Sequence, residues 1–425
     1  MRSDLRTGLA AIVFCLPFAA GAAPVEPLYS MVKKEESALV ATLRDLVNIE
    51  SGSRDKAGLD KLVALLAERL AQLGGKIEIY EPNVADTYRL FDSPREIGKT
   101  VIARFQGTGT RKIMLLAHMD TVYSAGTLAR RPFRIEGRRA YGPGIADDKG
   151  GIAVILHVLG LLRAMNFRDH GVITVLINGD EEISSPGSRK LIERIGAEQD
   201  FVFSCEPTSV EADGLALATS GIGAATLTVR GRSSHSGASP ELGRNAIIEL
   251  ANQILQTNDL SVPARGIKFN WTLASGGEAR NIIPDLAIAS ADVRVNKESD
   301  LAVVEKSFRD RIAANRRLVP DMRIEAAFEA RRVPLEASNA SRAVAKKAQA
   351  IYAELGKKLL VDDSGSGGGT DAAFAARSGK AATVESFGLA GYGYHSSEEE
   401  YVDLDSIEPR LYLLTRLVMD IARGR

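Results

Sequence analysis

Length, composition and charge set broad limits on this chain of 425 residues. With 45% apolar residues it can form two or three domains, each with a hydrophobic core of its own. Its 54 lysine and arginine side chains balance 54 aspartate and glutamate side chains, which disfavours nucleic acid or an anionic membrane surface as a partner.

The first residues have the pattern of a secretory signal peptide. Arg2 and Arg6 precede an apolar run over residues 9–20, and Ala-Gly-Ala at 20–22 matches an A-x-A cleavage site. The run is shorter than the roughly 20 residues that a membrane-spanning helix needs. An uncleaved anchor or a buried first helix is the alternative interpretation. Residues 1–22 are therefore predicted to be removed on export, leaving a periplasmic or secreted protein.

The next part of the chain alternates between predicted helices and predicted strands. Apolar residues at helical spacing cover residues 35–74 and end at two glycines. Strands are predicted at 101–105, 113–117, 171–177 and 201–204, and helices at 150–165 and 188–194. Strands that alternate with helices predict an α/β layered domain.

The pattern changes near residue 219, where apolar and polar residues begin to alternate as they do in half-buried antiparallel strands. Strands are predicted at 222–229, 269–274, 287–295 and 322–328, and helices near 243–257 and 300–315. This order is ferredoxin-like. Helices at 342–355, 371–378 and 406–423 then complete the chain. We therefore predict a discontinuous main domain, residues 27–218 and 333–425, with an inserted domain of residues 219–332.

A histidine and an aspartate lie where one predicted strand ends. His118 follows the strand at 113–117, and Asp120 comes two residues later. The carboxyl ends of strands are where α/β folds place ligand groups. A metal-binding imidazole also needs a carboxylate or carbonyl to fix its tautomer, and Asp120 is within reach. The alternative is a surface His-Asp pair at a strand end.

Two adjacent acids, Asp147 and Asp148, lie in a glycine-flanked turn before the helix predicted at 150–165. Glycines on both sides permit a turn that points one carboxylate inward. The other acid is suited to cap the helix. The two interpretations are compatible, because one acid can point inward while the other caps the helix.

Further acids and a second histidine follow other predicted strands or lie in loops. Asp180, Glu181 and Glu182 follow the strand at 171–177, Glu206 follows the strand at 201–204, and His395 lies in a late glycine-rich loop. Adjacent carboxylates repel one another unless a cation lies among them, and one of two neighbouring glutamates can then act as a base. A solvated acidic loop is the alternative. Histidines and acids at strand ends predict two zinc ions, although cobalt or manganese would also fit.

Together these motifs resemble the aminoacylase and glutamate carboxypeptidase family of zinc exopeptidases, in particular bacterial enzymes of the carboxypeptidase G type. The resemblance covers the chain beyond the signal segment. It includes His118-Met119-Asp120-Thr121, residues 144–150, Asp180-Glu181-Glu182, Cys205-Glu206-Pro207 and Gly367-Gly368-Gly369-Thr370-Asp371. It implies a three-layer α/β zinc-exopeptidase catalytic domain with an inserted ferredoxin-like α+β domain.

The resemblance also implies a role for each residue of the predicted metal site. Asp147 would bridge two zinc ions. His118 and Glu206 would complete one zinc site, and Glu182 and His395 the other. Glu181 would be the general base, and Asp120 the partner of His118. A hydroxide held between the ions would attack the scissile carbonyl.

For the inserted domain, the resemblance implies dimerisation and closure over the site. His235 would then stabilise the oxyanion in the neighbouring subunit's site. Asn281, Arg294 and Arg332 match substrate-binding positions, with Arg331 as the alternative to Arg332. Ser366 and Gly369 belong to a glycine-rich loop that would cradle an anion.

These expectations predict a zinc-dependent carboxypeptidase that releases C-terminal glutamate from N-acyl or peptidyl glutamate, with folates among the candidate substrates. A dipeptidase or an N-acyl-amino-acid deacylase of the same family is the alternative activity. A periplasmic solute-binding protein is the alternative from another class, although it would need neither two histidines with acids at strand ends nor an adjacent base.

Overall fold

A computed structural model describes residues 23–365, 367–396 and 398–425. The predicted signal segment 1–22 and Ser366 therefore lie outside the described residues. Within the described ranges, no helix combines the length and the apolar character needed to cross a bilayer.

The described chain alternates between helices and strands, with short 3₁₀ turns between some of them. The helices are α1 (Leu28–Val32), α2 (Glu36–Val47), α3 (Lys56–Gln72), α4 (Thr127–Arg130), α5 (Lys149–Ala164), α6 (Arg189–Gly196), α7 (Ala246–Leu255), α8 (Glu298–Ala314), α9 (Asn339–Glu354), α10 (Ala372–Ala375) and α11 (Ile407–Ala422). The strands are β1 (Lys76–Tyr80), β2 (Thr100–Gln106), β3 (Lys112–His118), β4 (Arg134–Glu136), β5 (Arg139–Tyr141), β6 (Val172–Asn178), β7 (Phe201–Ser204), β8 (Thr208–Ser209), β9 (Gly214–Ala216), β10 (Gly221–Arg230), β11 (Ser234–His235), β12 (Lys268–Gly276), β13 (Ile282–Ile283), β14 (Leu286–Val295), β15 (Arg323–Arg332), β16 (Leu360–Asp362), β17 (Ala382–Val384), β18 (Ala390–Tyr392) and β19 (Tyr401–Asp403).

A six-stranded sheet, in the order β1-β2-β6-β3-β7-β17, forms the centre of the main domain. Strands β6, β3, β7 and β17 run parallel, so their carboxyl ends meet at one edge. Alternate residues of β2 pack on opposite sides: Val101 and Ala103 contact the core under α2, α3, α5 and α11, whereas Ile102 faces the core under α6 and α10. Helices on both faces explain why these strands are almost continuously apolar.

The predicted helix at 35–74 was wrong in one respect, because two helices, α2 and α3, occupy this range. The segment between them pairs with the chain after β3. Gly52 bridges Thr121, and a Cβ on Gly52 would lie 2.3 Å from the Tyr123 carbonyl oxygen. This pairing replaces helical hydrogen bonds, and Asp55 then caps α3 by accepting from the Gly58 N–H at 3.0 Å. Hydrophobic periodicity alone could not predict this break between the two helices, because the pairing that causes it joins residues far apart in the sequence.

A second sheet, in the order β12-β14-β10-β15, is antiparallel throughout. Its strands and the helices α7 and α8 follow the predicted ferredoxin-like order. Apolar residues from this sheet and these helices form a hydrophobic core separate from those of the main sheet. The chain enters the second sheet at Gly221 and leaves it at Arg332, close to a bridge between Thr219 and Leu335.

A third sheet, in the order β4-β5-β19-β18-β8, was not predicted from the sequence. Its strands have two or three residues each, too few to produce a clear alternation. This sheet matters for function because it joins the segment before Asp147 to the segment after His395. Tyr141 of β5 pairs with Tyr401 of β19, and Gly391 of β18 pairs with Val402.

Candidate metal centre

The site lies where the parallel strands of the main sheet end. His118 is the last residue of β3 and is 1% exposed. Its Nε2 lies 2.9 Å from an Asp147 oxygen and 3.6 Å from a Glu206 oxygen. Its Nδ1 lies 3.0 Å from the Asp120 carbonyl oxygen and 3.4 Å from the Asp120 carboxylate. One ring nitrogen therefore faces two acids, while the other is held by Asp120.

Asp120 connects this histidine to the two glutamates after β6. Its carboxylate accepts hydrogen bonds from the backbone N–H groups of Glu181 at 3.0 Å and Glu182 at 3.1 Å. It also accepts from the Ser53 hydroxyl at 2.7 Å. One buried carboxylate thus fixes both His118 and the backbone that carries Glu181 and Glu182.

The two adjacent acids of the glycine-flanked turn have different contacts, as the sequence allowed. Asp148 accepts from the Gly151 N–H at 3.2 Å and caps α5. Asp147 lies between the two histidines. One of its oxygens is 2.9 Å from His118 Nε2, and the other is 3.3 Å from His395 Nε2.

His395 and Glu182 form the second half of the site. The His395 Nε2 lies 2.9 Å from a Glu182 oxygen. His395 has a positive φ of 54°, and its side chain is 50% exposed, so the ring is reached from solvent. The structure therefore brings all five predicted metal-binding residues together from five separate segments of the chain.

Asp180, the remaining acid of its triplet, faces away from these ligands. It accepts from the N–H groups of Gly187 and Ser188 at 2.6 and 3.1 Å and from the Ser188 hydroxyl at 2.5 Å. Burial raises the pKa of Asp180 to about 7. Its contacts are those of a structural carboxylate.

The acids and histidines of the site lie close enough together to change one another's pKa. Burial raises the pKa of Glu206 to about 8 and that of Glu182 to about 7. Burial would lower the pKa of His118, but Glu206, Asp120 and Asp147 raise it well above its usual value. Hydrogen bonds to Asp147 and Glu182 raise the pKa of His395 to about 11. Burial therefore opposes ionisation of Glu182 and Glu206, and a positive charge nearby would favour it.

The residues present fit divalent metal ions. Ligand atoms of His118, Asp147 and Glu182 lie within 4.8 Å of one another, as do those of His118, Asp148 and Glu206. Imidazole nitrogens with carboxylate oxygens form a donor set that zinc accepts. A divalent cation would also supply the positive charge and favour the neutral imidazole and ionised carboxylates that metal binding requires.

A cavity of about 890 Å³ opens over the metal-binding residues. Glu181 forms part of its wall beside Asp147, Glu182, Glu206 and His395. Burial raises the pKa of Glu181 well above its usual value, against the effect of Arg332. Glu181 thus lies beside the metal-binding residues in the wall of a space large enough for a substrate.

Arg294 and the glycine-rich loop line the same cavity. Arg294 extends from β14, and its guanidinium donates to Asp292 at 2.9 Å and to the Gly367 carbonyl oxygen at 3.1 Å. Gly369 packs so closely that a Cβ there would lie 2.6 Å from the Ser220 carbonyl oxygen. An arginine from the second sheet and a loop from the main domain therefore meet in one cavity.

The two candidate arginines at the end of β15 have different surroundings. Arg332 is 2% exposed and lies 2.8 Å from a Glu181 oxygen and 2.6 Å from an Asp371 oxygen. Arg331 pairs with Asp92 at 2.8 Å and remains partly exposed. Both line the cavity.

Two predicted residues lie outside that cavity. His235, on β11, is exposed, and its Nδ1 accepts from the N–H groups of Gly237 at 3.1 Å and Ala238 at 3.0 Å. Asn281 is also exposed, and its carbonyl oxygen accepts from the Ser236 N–H at 3.0 Å. The structure does not bring these two residues to the metal-binding group of the same chain.

The sequence interpretation assigned no role to three buried acids around the site, although Asp371 belongs to a motif that it used. Glu400 accepts from the backbone of the turn that carries Asp147, Asp371 pairs with Arg332, and Glu385 accepts from the Thr370 hydroxyl. Each is at most 3% exposed. Acidic residues near glycine-rich loops were the available signal, but their partners are 15 or more residues away along the chain.

Comparison with known proteins identifies relatives of the whole chain. A sequence model of peptidase family M20/M25/M40 matches residues 114–420. Carboxypeptidase G2 of Pseudomonas sp. (strain RS-16) is 40% identical over 429 residues, which cover 100% of each chain. The chain belongs to peptidase family M20/M25/M40.

Two further similar proteins extend the comparison. Succinyl-diaminopimelate desuccinylase of Gluconobacter oxydans is 28% identical over 400 residues, covering 91% of this chain and 97% of the relative. A solved tripeptidase from Staphylococcus aureus has the same fold, with a TM-score of 0.73 at 20% identity, covering 91% of this chain and 99% of that chain.

Membership of family M20/M25/M40 confirms the predicted resemblance and the predicted enzyme class, a metallopeptidase. The fold class is confirmed as well, since the α/β architecture is shared with a solved M20 family metallo-carboxypeptidase from Sulfolobus solfataricus, with a TM-score of 0.70 at 17% identity over 92% of this chain and 100% of that chain. A solute-binding protein is no longer a competing interpretation.

Proposed function

We propose that this protein is a zinc-dependent carboxypeptidase that hydrolyses the amide bond to a C-terminal glutamate. The observation that carries the proposal is the convergence of two histidines, three acids and a further glutamate, of which all but His118 line one cavity. Full-length identity of 40% to a protein named carboxypeptidase G2 supports the same activity.

The proposed metal-binding roles follow the contacts of each ligand. Asp147 presents one oxygen to His118 and the other to His395, as a carboxylate shared by two cations would. Glu206 would complete the site with His118, and Glu182 the site with His395. Two bound zinc ions would polarise the scissile carbonyl and activate water for attack.

Glu181 is the proposed general base, a role that agrees with its position on the cavity wall beside the metal-binding residues. It would take a proton from the attacking water and deliver it to the leaving amine. Asp120 would keep both partners in place, since its carboxylate contacts His118 and the Glu181 backbone.

Recognition of the glutamate is proposed to depend on Arg294 and the glycine-rich loop. A guanidinium is always charged and can hold a carboxylate with two parallel hydrogen bonds. Arg294 already donates to the Gly367 carbonyl oxygen, so a substrate carboxylate there would contact both the arginine and the loop of Gly367 and Gly369.

His235 is proposed to serve the site of a second copy of the chain, with Asn281 beside it. Because His235 Nδ1 accepts two backbone hydrogen bonds, Nε2 of this exposed residue is left to serve as the donor. Such a donor would stabilise the oxyanion of the neighbouring subunit. The inserted domain, residues 219–332, would pair the subunits and close over the substrate.

The exposed apolar residues of the second sheet support dimerisation. Strand β12 is at the edge of that sheet, and Leu273 on it is 70% exposed. Ile248 and Leu255 on α7 are 50% and 70% exposed. Unpaired edge strands and exposed apolar residues together are typical of surfaces that bind another chain.

Export is proposed from the signal-peptide pattern of residues 1–22, which would leave the enzyme in the periplasm or outside the cell. The single cysteine in the rest of the chain, Cys205, is buried and free, so folding there requires no disulfide.

The proposed function is tested with purified mature protein, by metal analysis and by product analysis. We expect about two zinc ions per chain and release of free glutamate from N-benzoyl-glutamate and folate. The α-amide of N-benzoyl-glutamate should react poorly, because it lacks the carboxylate that Arg294 would bind. Faster hydrolysis of N-succinyl or N-acetyl amino acids, or of dipeptides, would instead favour the deacylase or dipeptidase alternative.

The matched variants are Glu181→Gln and Glu198→Gln, the latter at an exposed position. Loss of a general base lowers turnover by about 10²- to 10⁴-fold. We expect that loss only in Glu181→Gln, with the zinc content unchanged in both variants. Wild-type turnover by Glu181→Gln, or a wild type that binds no divalent metal, would contradict the proposal.

A further inference from the structure

Glu400 is a buried carboxylate whose contacts are with the turn that carries Asp147. One oxygen accepts from the Gly144 N–H at 2.9 Å, and the other from the N–H groups of Ala146 at 2.8 Å and Asp147 at 3.0 Å. The Glu400 carbonyl oxygen also accepts from the Gly142 N–H at 3.2 Å. Side chain and backbone of one residue therefore bind the whole turn.

The turn has the shape that suits such an anion. Gly144 has a φ of 70°, which glycine adopts without strain. Successive N–H groups in a turn of this kind converge and form a concave site for negative charge. In this chain the anion in that site is the Glu400 side chain.

Glu400 also belongs to the segment that carries the second histidine. It comes five residues after His395, at the end of the loop between β18 and β19. Strand β18, which leads into this loop, lies tightly against the turn, since a Cβ on Gly391 would be 2.4 Å from the Ala146 Cβ. Glu400 thus connects two metal-binding residues that are separated by 248 positions, from 147 to 395.

The hydrogen bonds between Glu400 and the turn depend on the ionised carboxylate as well as on the length of the side chain. A carboxylate accepts hydrogen bonds at both oxygens, whereas an amide of the same size accepts at one atom and donates at the other. A glutamine at this position would point N–H groups at the N–H groups of the turn. Lys149, whose Nζ donates to the Ile49 carbonyl oxygen at 3.0 Å, lies close enough to interact with the Glu400 charge.

We infer that Glu400 is a positioning residue of the metal centre: it fixes the turn of Asp147 relative to the loop of His395, so that the two oxygens of Asp147 face the two histidines. The inference rests on the proposed metal-binding role of Asp147. Residues that orient metal ligands typically change metal affinity or activity by about 10- to 100-fold when replaced.

The test compares Glu400→Gln with Glu399→Gln in the full mature protein. Glu399 is the adjacent residue, but its side chain is 46% exposed and pairs with Arg134, so it is a matched control. Zinc affinity is measured by competition with a chelator of known affinity. The absorption spectrum of the cobalt-substituted protein reports the geometry of the ligands directly.

We expect Glu400→Gln to bind zinc about 10- to 100-fold more weakly and to change the cobalt spectrum, and Glu399→Gln to match the wild type. A Glu400→Gln protein with wild-type affinity and spectrum would overturn the inference. If that variant does not fold, Glu400→Asp, which keeps the charge but has a shorter reach, should give a smaller loss in the same direction, and wild-type behaviour of Glu400→Asp would overturn it. A wild type without metal affinity would instead contradict the proposed function.

Discussion

Arg332 matches a substrate-binding position in the sequence, but its contacts in the structure are with two buried carboxylates. Its guanidinium lies between the carboxylates of Glu181 and Asp371, and all three side chains are buried. Asp371 also accepts from Asn178 at 2.7 Å, so the group extends to the end of β6. These contacts indicate that Arg332 stabilises the backbone and carboxylate of Glu181.

Removing Arg332 should therefore destabilise the fold. The change leaves two buried carboxylates without a cationic partner, which costs ~3–5 kcal/mol. We expect Arg332→Ala to lower the free energy of unfolding by about that amount. Denaturant titration with a chelator present measures this loss without a contribution from metal binding.

Arg331→Ala is the matched control, because Arg331 is adjacent and pairs with Asp92, whose side chain is 48% exposed. Partly exposed ion pairs contribute ~0–1 kcal/mol. Equal losses in the two variants would contradict the distinction between a buried and a surface pair.

At the scale of elements, strand ends and helix starts explain how far the site could be predicted. His118, Glu182 and Glu206 follow predicted strands, and the parallel sheet brings those strand ends together. His395 and Glu400 could not be placed in this way. Their position depends on β18 and β19, which are three residues long and form a sheet with partners more than 180 positions away.

Alanine substitutions at two glycines, one in a helix and one in a strand, should change the stability in opposite directions. Gly160 lies in α5 with no atom within 4 Å of an added Cβ, whereas a Cβ on Gly391 in β18 would lie 2.4 Å from the Ala146 Cβ. Alanine is a better helix former than glycine by ~0.8–1.0 kcal/mol. We expect Gly160→Ala to raise the free energy of unfolding by about 0.5–1 kcal/mol.

Gly391→Ala should have the opposite effect, because overpacking costs ~1–3 kcal/mol. It should also weaken zinc binding, since the clash separates the His395 loop from the Asp147 turn. Thermal unfolding and zinc titration of both variants check the pair. Similar stability changes at the two positions would contradict the close approach between Gly391 and the Ala146 side chain.

At the scale of the whole molecule, β12 is an edge strand of the second sheet and, within the described part of the chain, pairs with β14 on one side only. The proposed dimer would cover Leu273 on this strand and the exposed face of α7. We expect Leu273→Asp to convert dimer to monomer in sedimentation measurements, because a buried charge without a partner opposes association.

Leu273 also lines the cavity, so the effect on activity is tested with Leu255→Asp on α7, which should likewise become monomeric and lose activity because His235 would no longer reach a neighbouring site. Leu318→Asp is the control, as Leu318 is 55% exposed and lies in the loop between α8 and β15. A wild-type protein that is monomeric, or a Leu255→Asp dimer with full activity, would contradict the proposed role of the inserted domain.

The sequence by itself determined the family, the α/β class and the ferredoxin-like order of the second sheet, because these depend on local periodicity and on short motifs. The sequence also indicated which acids and histidines follow directly after a strand. The tertiary structure decided which of those acids face one another. Asp147 meets His118 and His395, whereas Asp148 caps a helix and Asp180 turns away. Such choices depend on side-chain direction and on distant partners such as Glu400 and Arg332, and a pattern of residues along one segment contains neither.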